Sequence, residues 1–420
     1  MREISARRLA WEVIYQVSLE GGYSNLLLPQ RLRESQLQVR DRGFATELTY
    51  GVLRMQGLCD AYISRVSDRA IADIDTKTLI GLRIGVYQLK ILQTPDHAAI
   101  NETVNLVKET AGKSAGSFAN AVLRNVAAVP ESAIDSWELL SHPKWIVNAF
   151  KDALKDEASV LAQLQADNKA ALPTLIAWPG RSTVAELVEA GAIPIEGSRC
   201  AATFEGNPGE IPAIKERRAG VQDLGSQLVV ENFFATGLGE DLRWLDLCAG
   251  PGGKAAYLDS LIDRSEFVAN EPREERVKLV EQVVSRGRVT NFDGRNIPDF
   301  IGSFERILID APCTGLGALR RRPEVRWRRR AEDLRALVEL QHQLLEGAVG
   351  AISKGGIIGY ATCSPHLAET KFQVQDFLKR HPNFKRVPVE KYPDKDGDMQ
   401  LWTFRDGTDS MYLSLLRREE

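Results

Sequence analysis

Two short stretches late in the chain carry side chains suited to covalent chemistry: DAPCTGLG, residues 310–317, and YATCSP, residues 360–365. In each, a cysteine follows an apolar run (RILID, GGIIG) and precedes a polar turn. A free thiol has a pKa near ~8.5, so either cysteine needs a local field that favours the thiolate before it can attack. One reaction has a use for Asp310, Cys313 and Cys363 together. Carbon 5 of cytosine is a poor nucleophile, but a thiolate added at carbon 6 makes the ring an enamine that can attack a methyl sulfonium. An acid at ring nitrogen 3 stabilises the charge that develops there. The carbon-5 proton then leaves and the thiolate is expelled, so that one hard step is divided into easier covalent ones. An aspartate holding a metal, or two thiols acting as a redox pair, fits the spacing less well. Residue types alone leave open which cysteine attacks.

A third stretch, DLCAGPGGK at residues 246–254, lies between the strand-like RWLDL and the helix-like AAYLDSLID. Its glycines let the backbone turn tightly and approach a ligand, and free amides at a helix start favour polar or anionic atoms. Gly250, Gly252 and Ala255 also satisfy a G-x-G-x-x-A dinucleotide pattern, so the loop by itself does not name its ligand. A plain strand-to-helix turn is the structural alternative. Glu271 ends the next apolar run, about twenty residues on, where an acid accepts ribose hydroxyls in many nucleoside-binding sheets. Asp293, in NFDGR, ends the run after that and could receive an adenine amino group. Lys254 either touches a cofactor carboxylate or lies on a helix surface. Cys59 and Cys200 read as small buried hydrophobes, and Cys248 as packing within the loop.

These residues need a sheet to hold them. From Val221 onward, RWLDL, EFVANE, GRVTNF, RILID and GGIIGYAT alternate with helical stretches, which predicts a doubly wound, largely parallel sheet over 221–420. Both cysteines then fall at the carboxyl ends of strands, the edge where such sheets bind ligands. Residues 1–135 read as an all-α unit, with apolar positions three and four apart in ARRLAWEVIYQV, DRGFATELTYGVLRMQGLCDAYISRV, TKTLIGLRIGVYQLKIL, AAINETVNLVKETA and SFANAVLRNV. Thr94-Pro95-Asp96 separates two of these helices and Val129-Pro130 closes the run. Residues 136–220 read as a small α+β connector, with a strand at TLIAW and a helix at STVAELVEAG.

The 420 residues suit two or three domains, and 44% hydrophobic with 26% charged residues is the balance of a globular protein. No apolar run reaches the ~20 residues of a membrane span, and MREISARRLAWEVIY reads as an amphipathic helix rather than a signal peptide. Five scattered cysteines without a CxxC pair point away from disulfides and a zinc site and toward a reducing cytoplasm. The net charge of -3 leaves any nucleic-acid affinity to local patches. One such patch is LRRRPEVRWRRR, whose seven arginines (Arg320, Arg321, Arg322, Arg326, Arg328, Arg329 and Arg330) and one tryptophan could grip phosphates and stack on bases. Its bland alternative is a solvated charged loop.

The three motifs in this order resemble those of the RNA 5-methylcytosine methyltransferases, specifically the bacterial small-subunit rRNA enzymes of the RsmB (Sun/Fmu) family. The likeness covers nearly the whole chain; GLRIGVYQLK and FANAVLRNV are similar to that family's NusB-like helical domain. It implies an all-α NusB-like domain, a connector and a Rossmann-like α/β methyltransferase domain acting on RNA, 16S rRNA in particular. It implies Cys363 as nucleophile, Cys313 as the group that assists release, and Asp310 at both the cytosine ring and the cofactor. It further implies S-adenosylmethionine held by Cys248, Ala249, Gly250, Pro251, Gly252, Gly253, Lys254, Glu271, Asp293 and Asp310, with no metal. Two departures stand out: Glu271 replaces the usual aspartate, and Glu369 is followed by Thr370 where a glutamate-asparagine pair is common. A nicotinamide-dependent dehydrogenase would leave both cysteines without a task. A non-enzymatic RNA-binding protein would not need the full Asp310, Cys313 and Cys363 set.

Overall fold

The computed structural model describes residues 4–236, 243–263, 265–298 and 301–419. The chain divides into two compact units. One holds the chain through Asn148 together with Leu164–Lys169 and Leu319–Arg329; the other holds Ala149–Gln163, Ala170–Ala318 and the chain from Arg330. Within 136–220, the stretch expected as a connector, residues 174–203 contribute to a small sheet with its own apolar cluster, and that sheet belongs to the same unit as the larger one. No helix among the described residues is long and apolar enough to cross a membrane.

The first unit is helical. Its helices Ala6–Leu19, Val39–Arg54, Gln56–Val66, Thr76–Val86, Asp96–Ala111 and Lys113–Ala128 bury Leu9, Val13, Leu48, Ile80, Ile84, Val107 and Leu123 in one core. Gly81 and Gly85 weaken their own helix, yet a Cβ at either would lie 2.4 Å from Val107 or 2.7 Å from Leu123, so close helix contact requires them. The run DRGF to SRV, expected as one helix, is broken at Met55 (φ -99°, ψ 20°). The groups freed by the break find distant partners. Ser141 Oγ accepts from Gly57 N at 3.0 Å and Leu58 N at 3.3 Å, and Trp327 Nε1 donates to Leu53 O at 2.6 Å.

The arginine-rich segment is part of this framework. Arg326 is fully buried and donates to Arg54 O at 3.1 Å, Ser141 O at 3.3 Å, Asn168 Oδ1 at 2.6 Å and Asp167 O at 2.7 Å. Glu324 accepts from Ser24 Oγ at 2.8 Å, and Arg328 donates to Gly22 O. The expectation that Arg326 contacts RNA is corrected, because its guanidinium is occupied by backbone and amide oxygens of its own unit. Burial pushes that guanidinium down to about 9.

In the second unit, β1 (Thr174–Ala177), β2 (Ile193–Pro194), β3 (Ala201–Thr203) and β4 (Ala219–Val221) form an antiparallel sheet of order β2-β3-β1-β4. The larger sheet contains β5 (Trp244–Asp246), β6 (Phe267–Asn270), β7 (Arg288–Thr290), β8 (Phe304–Asp310), β9 (Ile352–Thr362), β10 (Phe384–Val387), β11 (Met399–Gln400) and β12 (Tyr412–Arg418). Its order is β10-β12-β9-β8-β5-β6-β7, with β11 paired to β12. Neighbours from β9 through β7 are parallel, whereas β10, β11 and β12 add antiparallel strands that the apolar runs did not announce. Alternate residues serve two cores: Leu245, Ile307, Ile309 and Tyr360 in one, Trp244, Leu308, Ile357 and Ala361 in the other. Burial on both sides explains why these strands read as continuous apolar runs. From β5 the chain winds outward through β6 and β7 and then returns to β8 on the other side. The strand order thus reverses between β5 and β8, the place where open α/β sheets leave a crevice at their carboxyl ends.

Arg326→Met should destabilise the protein by ~3–5 kcal/mol, the range for breaking a buried charged network by removing one partner. Urea denaturation would measure this; a loss below about 1 kcal/mol, the size of a single ordinary hydrogen bond, would show that the segment is held by other contacts.

Candidate active site

The loop after β5 starts the site. Leu247 N donates to Leu308 O and Ala249 N to Asn270 O, both at 2.8 Å, so the loop leaves the sheet still bonded to its neighbours. The Gly250–Pro251 peptide is cis, and Gly252 takes φ +113°, a left-handed conformation that disfavours side chains. The helix Gly253–Leu261 begins there without a side-chain cap, which leaves its first amides facing outward. Glu271, immediately after β6, is 3% exposed and closes the loop from the side. A Cβ at Gly250 would lie 2.0 Å from Glu271 Oε2, so only glycine lets backbone and carboxylate share this wall. Arg273 N donates to Glu271 Oε1 at 3.0 Å. Glycine backbone, open amides and a strand-end carboxylate together suit the polar groups of a nucleoside cofactor. Cys248 packs into the core, and burial pushes its thiol well above the usual range.

Behind this wall the charges are unevenly matched. Asp246, the last residue of β5, is fully buried with Oδ2 unpartnered, while Oδ1 accepts from Cys248 N at 3.3 Å. Burial, reinforced by the nearby Asp310, pushes its carboxyl up to about 7. Lys254 Nζ donates to Asp310 Oδ2 at 2.7 Å. Burial alone would lower the Lys254 ammonium, but Asp310 outweighs it, Cys363 and Asp246 contribute, and the net direction is upward. Lys254 is thus no surface residue: it stands between the loop, Asp310 and the Cys363 turn.

The two cysteines meet. Asp310 pairs with Ala361 in the β8–β9 ladder, and the turns beyond bring Cys313 Sγ to 3.4 Å from Cys363 Sγ, neither of them in a disulfide. Cys313 is 9% exposed, whereas Cys363 is half-buried. The bond to Cys363 and then burial push the Cys313 thiol well above its usual range. Gly317 packs between the turns, since a Cβ there would fall 2.0 Å from Ser410 O.

Asp293 stands apart from this cluster. Its strand ends at Thr290, and its exposed carboxylate is gripped by Arg295, whose Nε donates to Oδ1 at 2.9 Å. That bond holds the Asp293 carboxyl below the usual range. Glu369, marked by the family resemblance only as half of a departure from its usual glutamate-asparagine pair, is fully buried and accepts from Thr314 N at 2.8 Å and Thr314 Oγ1 at 2.5 Å.

The model of the family described as 16S rRNA methyltransferase RsmB/F matches residues 236–417, and that of the NusB family matches residues 4–128. A Mycobacterium tuberculosis protein described as a methyltransferase, MT1451, is 40% identical, with 98% of this chain and 96% of that protein covered. The ribosomal RNA small subunit methyltransferase B of Vibrio cholerae is 29% identical over 99% of this chain and 98% of its own. The crystal structure of PH0851 has the same fold, with a TM-score of 0.85, 22% identity and 100% of both chains covered. With a NusB-type helical stretch at residues 4–128 followed by the methyltransferase match over residues 236–417, the chain belongs to the 16S rRNA methyltransferase RsmB/F family.

Proposed function

We propose that this chain, an S-adenosylmethionine-dependent rRNA methyltransferase, methylates carbon 5 of a cytosine in 16S rRNA through a covalent bond from Cys363. The observation that carries the reading is the approach of the Cys313 and Cys363 sulfurs to 3.4 Å beside the Lys254–Asp310 pair. When bound, S-adenosylmethionine supplies the electrophilic methyl group. The loop 248–254, Glu271 and Asp310 are assigned to hold it, with Asp293 joining them only if its Arg295 pair opens.

Cys363 is the better placed nucleophile of the two. It is the more accessible thiol, and the Lys254 ammonium provides the positive field that a thiolate needs. Cys313 is held protonated by its surroundings. A protonated thiol at this distance can donate to the Cys363 sulfur as the carbon–sulfur bond breaks, which stabilises the departing thiolate. Asp310 is assigned to ring nitrogen 3, where, once a proton takes the place of Lys254 on its Oδ2, it donates to the nitrogen as charge develops there. Action in the cytoplasm accompanies this reading. The half-buried Arg320, Arg321, Arg322, Arg328 and Arg329 and the exposed Arg330 are proposed as RNA contacts, with Arg326 removed from that set.

Three outcomes test these assignments. With labelled rRNA and S-adenosylmethionine on a denaturing gel, Cys363→Ala should give no protein–RNA adduct, while Cys313→Ala should methylate and then accumulate one. An adduct in Cys363→Ala would give the attacking role to Cys313 instead. With RNA saturating, Asp310→Asn should lose ~10²–10³ in turnover, the usual cost of one such electrostatic contact; near-normal turnover would reject its role. Replacing Arg329 and Arg330 together by glutamine should lower the log–log salt slope of RNA binding by about 1.5, at roughly 0.7–0.9 per lost phosphate contact. An unchanged slope would mark them as ordinary surface.

A further inference from the structure

We propose that Glu369 is a positioning residue for the two thiols: its buried carboxylate ties the turn that carries Cys313 to the turn that carries Cys363. The inference rests on the preceding reading only in taking those thiols as the reacting pair.

Thr314, beside Cys313, binds this side chain directly, and Ser364, beside Cys363, joins it through the Thr314 hydroxyl. Thr314, directly after Cys313, donates to Glu369 through both its amide (2.8 Å) and its hydroxyl (2.5 Å). The same hydroxyl lies 3.0 Å from Ser364 Oγ, directly after Cys363. Gln341 donates to Glu369 Oε1 at 3.1 Å and to Pro312 O, directly before Cys313, at 2.9 Å. Tyr360 OH donates to the backbone carbonyl of Glu369 at 2.8 Å and lies 3.2 Å from Gln341 Oε1, tying the end of β9 to the main chain of the same residue. All of these hydrogen-bonding residues except Pro312 are buried in the interior.

A carboxylate without solvent is expensive to keep, and it persists only where its hydrogen bonds are complete. Here the donors to it are neutral, so the charge is not there to balance a cation in the pair. What a carboxylate offers is two oxygens in a fixed plane, which can take the amide and the hydroxyl of one residue at once. That bidentate grip fixes Thr314 in orientation as well as distance. The turn on which Cys313 depends is otherwise a loop between strand β8 and a short 3-10 turn at Leu316–Ala318, held to the Cys363 turn at its far end by Gly317 N, which donates to Cys363 O at 2.9 Å. Releasing Thr314 would let Cys313 drift from Cys363 without disturbing the loop that holds the cofactor.

The test compares Glu369→Ala, Glu369→Gln and Thr314→Val by two readouts. The first is the rate at which a bis-alkylating bimane, fluorescent once it has bridged two thiols, links Cys313 to Cys363; Cys313→Ala and Cys363→Ala serve as blanks. The second is kcat and KM with rRNA. Glu369→Ala should bridge more slowly and lose kcat by about 10²-fold, the size of a misplacement of ~1 Å in a reacting group, with KM for RNA and affinity for S-adenosylmethionine near wild type. Glu369→Gln should retain most of both. Its amide oxygen can accept from Thr314 N while its NH2 donates to Thr314 Oγ1, whose hydrogen turns to Ser364. Should Glu369→Ala fail to fold, Thr314→Val removes only the hydroxyl's bonds and should shift both readouts in the same direction by less. Wild-type bridging and kcat in Glu369→Ala, or in Thr314→Val in its place, would overturn the proposal. So would Glu369→Gln as impaired as Glu369→Ala, since charge rather than grip would then matter. Bridging reports thiol positions whatever base is methylated, so absence of cytosine methylation in the wild type would count against the preceding reading alone.

Discussion

Parallel pairing of β8 with β5 on one side and β9 on the other is the constraint from which the site follows. In a parallel ladder all three strands end on the same edge, and the register leaves Asp246 beside Leu308 and Asp310 beside Ala361. The glycine loop, the Asp310 turn and the Cys363 turn therefore emerge side by side, although about 117 residues of sequence separate Asp246 from Cys363. Shifting either neighbour by one residue would turn its interior side chains to the opposite face. Burial on both faces makes such a slip costly, so reactive groups on short turns inherit the precision of the sheet.

Charge is the second organising fact. Asp246, Asp310 and Glu369 lie at or near the strand ends, with Lys254 as the cation bonded to Asp310. The three acids are accommodated in different ways. Asp310 has its ion pair, Glu369 has a ring of neutral donors, and Asp246, with one oxygen unpartnered, is pushed toward protonation by burial. The same ammonium that balances Asp310 also favours the anionic form of Cys363. One lysine on the first turn of a helix thus faces both the carboxylate and the Cys363 sulfur.

Much of this was legible from residue order, and the rest was not, for identifiable reasons. The runs RWLDL, EFVANE, RILID and GGIIGYAT announced parallel strands because both faces are buried and the apolar signal is continuous. The two cysteines could be placed at strand ends for the same reason. The antiparallel strands Phe384–Val387 and Tyr412–Arg418 were missed because one is half solvated and the other lies among charged residues. The break at Met55 has no local cue, since Ser141 and Trp327 satisfy its free groups from far along the chain. Glu369 was invisible as a tie because nothing in its neighbours' identities says that Thr314 will reach it. The arginine cluster misled at Arg326, where composition suggested a surface and the fold supplies carbonyl oxygens.

The residues 319–329 also bear on how the chain could have been assembled and how it could be taken apart. Glu324, Arg326, Trp327 and Arg328 complete the hydrogen bonding of the helical unit, yet they are encoded in the middle of the stretch that builds the larger sheet. A gene fragment that ends after the last of the early helices would therefore encode a bundle with two helix ends uncapped and no arginine behind them. The helical unit is discontinuous in sequence, so it is not a cassette that recombination at a single junction could add or remove. Its boundary in the gene and its boundary in space are different objects.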